Sequence, residues 1–345
     1  MCHSNMQGVK QVKLTFKVTR VNVERLLVMV SAALVVALAL HGNETAVSQY
    51  EESRLTQGVS TVTLPTAPPA EMQPVTVYYQ DGEGYLVPVT TQVEKTDGIA
   101  KAALSLLVES PANDVAAARM GLKTCVPEGT FFDLDISDGR ARVDLGKDAL
   151  TCATAEQESL MVSSVAQTLA EFPTVKEVSF LFDGQTRSRL THGTDVSGVF
   201  TAKDINMETV STFDGSDSNA SLVKLYFPSQ TRRMLVPVTH VVYSNADPVT
   251  AMVELCRGLK PDNGLERSVP EGYGIRSVTM KNGVVSIDLT GEFNQAAENK
   301  NQMLRVIQFT ASQFPGVKEV KLSAEGVPYA FPEEAKRHGS IWIPR

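Results

Sequence analysis

Four carboxylates are the residues best placed to do chemistry. Glu128 lies in Val126-Pro127-Glu128-Gly129 and Glu271 in Val269-Pro270-Glu271-Gly272, while Asp144 and Asp288 sit in the runs Val143-Asp144-Leu145 and Ile287-Asp288-Leu289. Two carboxyl groups across a glycosidic bond, one protonated and one ionised, hydrolyse glycans. That division of labour needs one cleft and two unlike environments, so that the two pKa values separate. Here each carboxylate instead recurs in the same local context, which favours a Pro-Glu-Gly turn and an Asp that ends a hairpin strand or caps nearby backbone. Nucleophile and metal chemistry find less support. The histidines are His3, His41, His192, His240 and His338, none at zinc-ligand spacing, and GxSxG, HExxH and a Gly-rich phosphate loop are absent. His192, in Thr191-His192-Gly193, reads as a turn residue. No catalytic residue, cofactor or metal site is expected.

The recurrence extends along most of the chain. LVPVT stands at 86–90 and 235–239, VPEGT at 126–130 answers VPEGY at 269–273, DGRARVDLG at 138–146 answers NGVVSIDLT at 282–290, and FPTVKEVSF at 172–180 answers FPGVKEVKL at 314–322. The order is kept and the offsets stay between 142 and 149, so two copies of one domain-sized unit follow each other.

Each copy predicts the same elements. A hairpin spans 75–90, matched by 223–239. Asp97 is placed as a helix cap before Ile99, Ala103, Leu106 and Leu107, and Asp247-Pro248 as the cap before Val249, Val253 and Cys256. A second hairpin turns at Asp138-Gly139 and at Asn282-Gly283. The next helix carries Met161, Val165, Leu169 and Phe172, or Met303, Ile307, Ala311 and Phe314, and stops at Pro173 or Pro315. A final strand follows. The fold class is α+β: two similar domains, each a mixed β-sheet with two helices packed on one face in the order β-β-α-β-β-α-β.

Residues 1–25 are basic, and 26–40, LLVMVSAALVVALAL, are uncharged and apolar. Basic before apolar keeps the tail in the cytoplasm and exports the rest. The apolar run is read as a membrane anchor, with a cleaved signal segment ending near Ala37-Leu38-Ala39 as the alternative. The Pro-rich stretch 41–72 reads as a flexible tether. Domain one is assigned to 73–211, a linker to 212–221 and domain two to 222–345. The net charge of −7 makes nucleic acid an unsuitable partner.

Arg187 and Arg189, after the last strand of copy one, and Arg232 and Arg233, at the first turn of copy two, are candidate contacts for an acidic partner. The single tryptophan, Trp342, is expected to pack back onto domain two or to meet a partner. Cys256 is matched to Leu106 and read as a buried, reduced thiol. Cys125 and Cys152 have no cysteine opposite them in copy two and flank the open end of a hairpin, so they form a candidate disulfide; two unpaired thiols are the alternative.

Taken in order and twice over, Leu-Val-Pro-Val-Thr, Val-Pro-Glu-Gly, Asp-Gly or Asn-Gly with Val-Asp-Leu or Ile-Asp-Leu, and Phe-Pro-x-Val-Lys-Glu-Val resemble the GerMN domain family over about residues 73–345. The resemblance implies a non-enzymatic scaffold of sporulation or germination, related to ring-building modules and acting between mother cell and forespore, where it supports assembly or localisation of an intermembrane channel complex. His41 rather than a cysteine directly follows Leu40, a departure from lipoprotein relatives. The alternative is a peptidoglycan-binding or peptidoglycan-processing protein of the spore envelope.

Overall fold

A computed structural model of the chain describes residues 71–207, 219–230, 234–259, 264–295 and 300–329. The basic tail, the apolar run 26–40 and nearly all of the tether therefore lie outside the described residues, as do Arg232, Arg233 and Trp342.

In copy one, β1 (Met72–Gln80) and β2 (Leu86–Glu94) pair antiparallel; α1 (Ile99–Ser105) and α2 (Pro111–Ala118) follow, then β3 (Phe132–Ser137), β4 (Arg140–Leu145), a 3-10 helix (Lys147–Thr151), α3 (Ala155–Ala170) and β5 (Glu177–Phe182). Copy two repeats the plan with β6 (Ser221–Pro228), β7 (Leu235–Val242), α4 (Pro248–Arg257), β8 (Ile275–Lys281), β9 (Val284–Leu289), the short α5 (Glu292–Gln295), α6 (Lys300–Ser312), β10 (Glu319–Ala324) and β11 (Val327–Tyr329). The fold is α+β, as expected. In each copy the strands divide between the first hairpin, which is a sheet of its own, and a mixed sheet ordered β3-β4-β5 or β8-β9-β10-β11, with β4–β5 and β9–β10 parallel.

The hairpin stays separate because side chains close the outer edge of its first strand. The Tyr78 amide donates to Thr168 Oγ1 at 3.2 Å, and Ser164 Oγ donates to the Tyr78 carbonyl at 2.6 Å. In copy two Ser268 Oγ donates to the Tyr226 carbonyl at 2.5 Å, and Gln313 receives the Lys224 amide at 2.9 Å. Each long helix thus serves two sheets, α3 packing on β1 and β5 and α6 on β6 and β10.

The helix face predicted for copy one's long helix is correct: Met161, Val165 and Leu169 are buried, as are Met303, Ile307 and Ala311 in α6. Two local readings change. Asp97 caps nothing; Gly98 occupies the cap of α1 without a side-chain bond, whereas Asp247 accepts from the Thr250 amide at 2.8 Å as expected. An additional helix follows in copy one: Ser110-Pro111 opens α2, with Ser110 Oγ accepting from the Asn113 amide at 3.2 Å. The buried stripe of α4 is Pro248, Ala251, Met252 and Leu255, in register with Ala100, Ala103, Leu104 and Leu107 of copy one. Val249 and Val253 face outward, 47% and 44% exposed, and Cys256 therefore matches Val108 rather than Leu106.

The two tight turns differ in tolerance. Gly139 and Gly283 share φ +82°, but a Cβ at Gly283 would stand 2.8 Å from the Gly316 carbonyl oxygen, while at Gly139 it meets only the flexible Lys176 side chain at 3.4 Å. Both Gly→Ala changes incur the left-handed penalty of about 1–2 kcal/mol. Gly283→Ala adds a backbone clash, so its urea midpoint is expected to fall further than that of Gly139→Ala.

Candidate functional site

Two places gather polar groups: the junction of the copies and a groove in copy one. At the junction, Asn206 takes a left-handed backbone conformation (φ +45°). Its side-chain Oδ1 accepts from the Leu86 amide at 2.9 Å, and its Nδ2 donates to the carbonyls of Leu86 at 2.8 Å and Pro237 at 2.7 Å. One amide therefore ties β2 to β7, the equivalent strands of the two copies. The Thr239 amide donates to the Ile205 carbonyl and Thr239 Oγ1 to that of Lys203 at 2.7 Å. Tyr78, Leu86 and Ile205 form a small buried cluster beside it. Tyr78 Oη donates to Glu171 Oε1 at 2.6 Å; burial, and then the Glu171 charge, push this phenol well above its ordinary pKa. A single hydrophobic cluster runs through residues of both copies.

The segment leading to this clasp folds back over copy one. The fully buried carboxylate of Glu158 accepts from the His192 amide at 2.9 Å and the Thr194 amide at 3.4 Å. His192 Nε2 lies 2.8 Å from the Cys152 carbonyl, so the ring holds a loop in place. Phe200 pairs with Val178 through both backbone bonds, at 2.9 and 2.8 Å, and sets its ring edge-on to Phe180 at 5.3 Å. Gln167 Nε2 donates to the carbonyls of Thr201 and Asp204.

The groove, about 900 Å³, is bordered by Glu109, Asp114, Lys123, Cys125, Glu128, Cys152 and Glu156. Cys125 and Cys152 both reach it, and both are free thiols. The ladder that would have aligned them ends at Phe132–Leu145; beyond it the 3-10 helix carries Cys152 to the Met161 side of α3, with Sγ 4.0 Å from Met161 Sδ, while Cys125 packs with Leu160 and the Tyr78 cluster. Cys125 occupies the place of Ser268, and in copy one Ser164 supplies the hydroxyl bond that Ser268 makes in copy two. The pair is thus a by-product of packing. Burial pushes the Cys125 thiol up to about 12, and burial with the nearby Glu158 charge pushes Cys152 up to about 11. The folded state holds these protons more tightly than the unfolded chain. Their stabilisation is complete below the ordinary thiol value near 9 and is lost as pH rises through about 11 and 12. Urea midpoints are expected to decline from pH 9 upward, and Cys125, Cys152 and Cys256 should all label in denatured, unreduced protein.

Asp144 Oδ1 accepts from the Gly184 amide at 3.0 Å, and Asp288 Oδ1 accepts from Ser323 Oγ at 2.7 Å and the Gly326 amide at 3.0 Å, so each anchors the turn after β5 or β10 of its own copy. The Ser323 hydroxyl and the Gly326 amide hold Asp288 below the usual carboxylate range. Glu271 is exposed, 3.8 Å from Arg267, and Glu128 occupies the matching turn of copy one. Among the described residues, no three His, Cys, Asp or Glu side chains converge as a metal site would require. Arg187 and Arg189 are exposed on the returning segment, and Arg189 pairs through its backbone with Asp195.

Comparison with known proteins follows the two copies. The model of the family described as Germane: Sporulation and spore germination matches residues 76–188 and again 224–330. The chain belongs to the Germane family. Among curated proteins the chain is similar to the spore germination protein GerM of Bacillus subtilis (strain 168), 28% identical over 262 residues that cover 72% of this chain and 71% of that protein. The solved tandem GerMN domains of the sporulation protein GerM from Bacillus subtilis superpose with a TM-score of 0.66 at 23% identity, covering 80% of this chain and 100% of that one, so the tandem arrangement is a shared fold.

Proposed function

We propose that this Germane-family protein is a non-enzymatic, membrane-anchored scaffold working outside the cytoplasm in sporulation or germination, where it supports assembly or localisation of an intermembrane channel complex. The observation that carries this reading is the Asn206 clasp: it fixes two similar domains in one orientation, which serves a spacer or docking platform and adds nothing to a reaction centre. The relatives' names describe sporulation and germination rather than a reaction. The polar outer face of the copy-one sheet, with Arg140 bridged to Glu177 at 2.8 Å, and the exposed Arg187 and Arg189 are surfaces such a partner would meet. No helix among the described residues is long and apolar enough to cross a membrane; the uncharged, apolar run 26–40 is the segment this reading assigns to anchoring.

Crosslinking in sporulating cells, followed by identification of the attached protein, tests the scaffold. A membrane channel component is the expected product. Muropeptide release by purified protein that Glu128→Gln or Glu271→Gln abolishes would instead establish the peptidoglycan-processing alternative.

A further inference from the structure

The two copies treat one pair of carboxylates differently. In copy two, Arg276 Nη1 lies 3.4 Å from Asp288 Oδ2 and 3.1 Å from Glu325 Oε2, so one guanidinium joins the carboxylate on β9 to the one in the turn after β10. Arg276 is an extra residue: the β8–β9 register shifts between Ile275 and Ser277, whereas Phe132 and Asp133 face Leu145 and Asp144 without a break. Copy one keeps both carboxylates. Asp144 accepts from the Gly184 amide at 3.0 Å as Asp288 does from that of Gly326, and Asp183 and Glu325 hold the same left-handed turn position, φ +55° and +50°. Among the described residues, no cation forms an ion pair with Asp144 or Asp183. Lys147, at the place where Gly291 approaches Glu325, is exposed and forms none either.

The surface beside the pair differs too. Phe131 is 75% exposed, and its carbonyl accepts from the Gly146 amide as the Gly274 carbonyl accepts from Thr290, which makes Gly274 its counterpart. A Cβ at Gly274 would stand 2.9 Å from Thr290 Cγ2, so copy two excludes a side chain there, while Gly146 makes room for one in copy one. Leu181, the cross-strand neighbour of Asp144, stands where copy two has Ser323. Copy two folds without either apolar side chain, so the fold does not demand them. An exposed phenyl ring beside two carboxylates suits a planar, weakly hydrated cation: a guanidinium stacks on aromatic faces and bridges carboxylates with its fork, where an ammonium acts as a point charge.

We propose that Asp144, Asp183 and Phe131 form a docking site for an arginine side chain of a partner protein, seated in copy one as Arg276 is seated in copy two. The existence of that partner rests on the scaffold reading; the chemistry of the site does not.

The test uses the full chain in neutral detergent and N-acetyl-arginine amide as the probe, at an ionic strength of about 0.01 M to limit screening. The amide resonances of Gly184 and Gly326 report on the two sites. The probe should shift Gly184 about threefold or more further than Gly326, whose carboxylates already hold Arg276. Asp183→Asn, which keeps a residue that tolerates the left-handed turn, should cut the Gly184 response about twofold or more. Arg276→Ala should make Gly326 respond, and N-acetyl-lysine amide should act more weakly at Gly184. Equal responses at the two glycines in the native chain, a Gly184 response that survives Asp183→Asn, a Gly326 amide still silent in Arg276→Ala, or equal action of the lysine probe overturns the site. No cellular partner takes part, so these outcomes are separate from crosslinking in cells, whose failure would count against the scaffold instead.

Discussion

Phe182→Ala lowers the unfolding free energy by about 3–5 kcal/mol, the cost of an unrelieved aromatic cavity. Phe182 is fully buried at the end of β5, its ring centroid 6.1 Å from that of Phe180. Its counterpart at the end of β10 is Ala324, equally buried. Ala149 and Phe293 are equivalent, since the Ala149 amide bonds the Gly146 carbonyl as the Phe293 amide bonds that of Thr290. Copy one thus combines Ala149 with Phe182, and copy two combines Phe293 with Ala324. Ala149→Phe alone overpacks and costs about 1–3 kcal/mol. The double variant Ala149→Phe with Phe182→Ala recreates copy two's solution and should recover about 1–3 kcal/mol relative to the sum of the singles. Denaturant unfolding of the four proteins measures this coupling; strict additivity would show that the two positions do not share one space.

Asn206→Ala is expected to cost about 3–5 kcal/mol, combining orphaned backbone groups with the left-handed penalty for alanine. It strands the Leu86 amide and the carbonyls of Leu86 and Pro237. Asn206→Gly keeps the backbone conformation and isolates the lost hydrogen bonds. Calorimetry should show one cooperative transition in the native protein and two in Asn206→Ala, because the clasp supplies polar bonds that tie β2 to β7 across the copies. A loss below about 1 kcal/mol with a single transition would mean that the hydrophobic contact between copies suffices to couple them. The same clasp predicts that 220–345 expressed without residues 203–207 is less stable than copy two in the whole chain.

The repeat made much of this fold readable. The hairpins, the stripe of α3 and α6 and the Pro stops depend on local spacing, which survives duplication. What escaped was compensation at a distance. The hydroxyl that serves Tyr78 comes from α3 and the one that serves Tyr226 from Ser268, so Cys125 looked like half of a pair when it only fills the space that Ser164 made redundant. Val249 and Val253 looked like core because they are apolar at helical spacing; a two-residue slip in matching the copies hid the fact that Met252 and Leu255 are the buried positions. The junction carried no periodic signal at all. Asn206 sits in Ile205-Asn206-Met207, where nothing in residue type announces a bond to a strand 120 positions earlier.

That clasp also sets an order of events. Its contact with Leu86 lies within copy one and the chain that follows it, whereas its contact with Pro237 waits for β7. A chain emerging from the ribosome N-terminus first can close copy one, returning segment and all, before copy two is made. Copy two then folds against a finished template, and its own first strands dock on a segment that copy one already holds still. The dependence runs one way: the first domain can mature alone, and the second matures as its tenant.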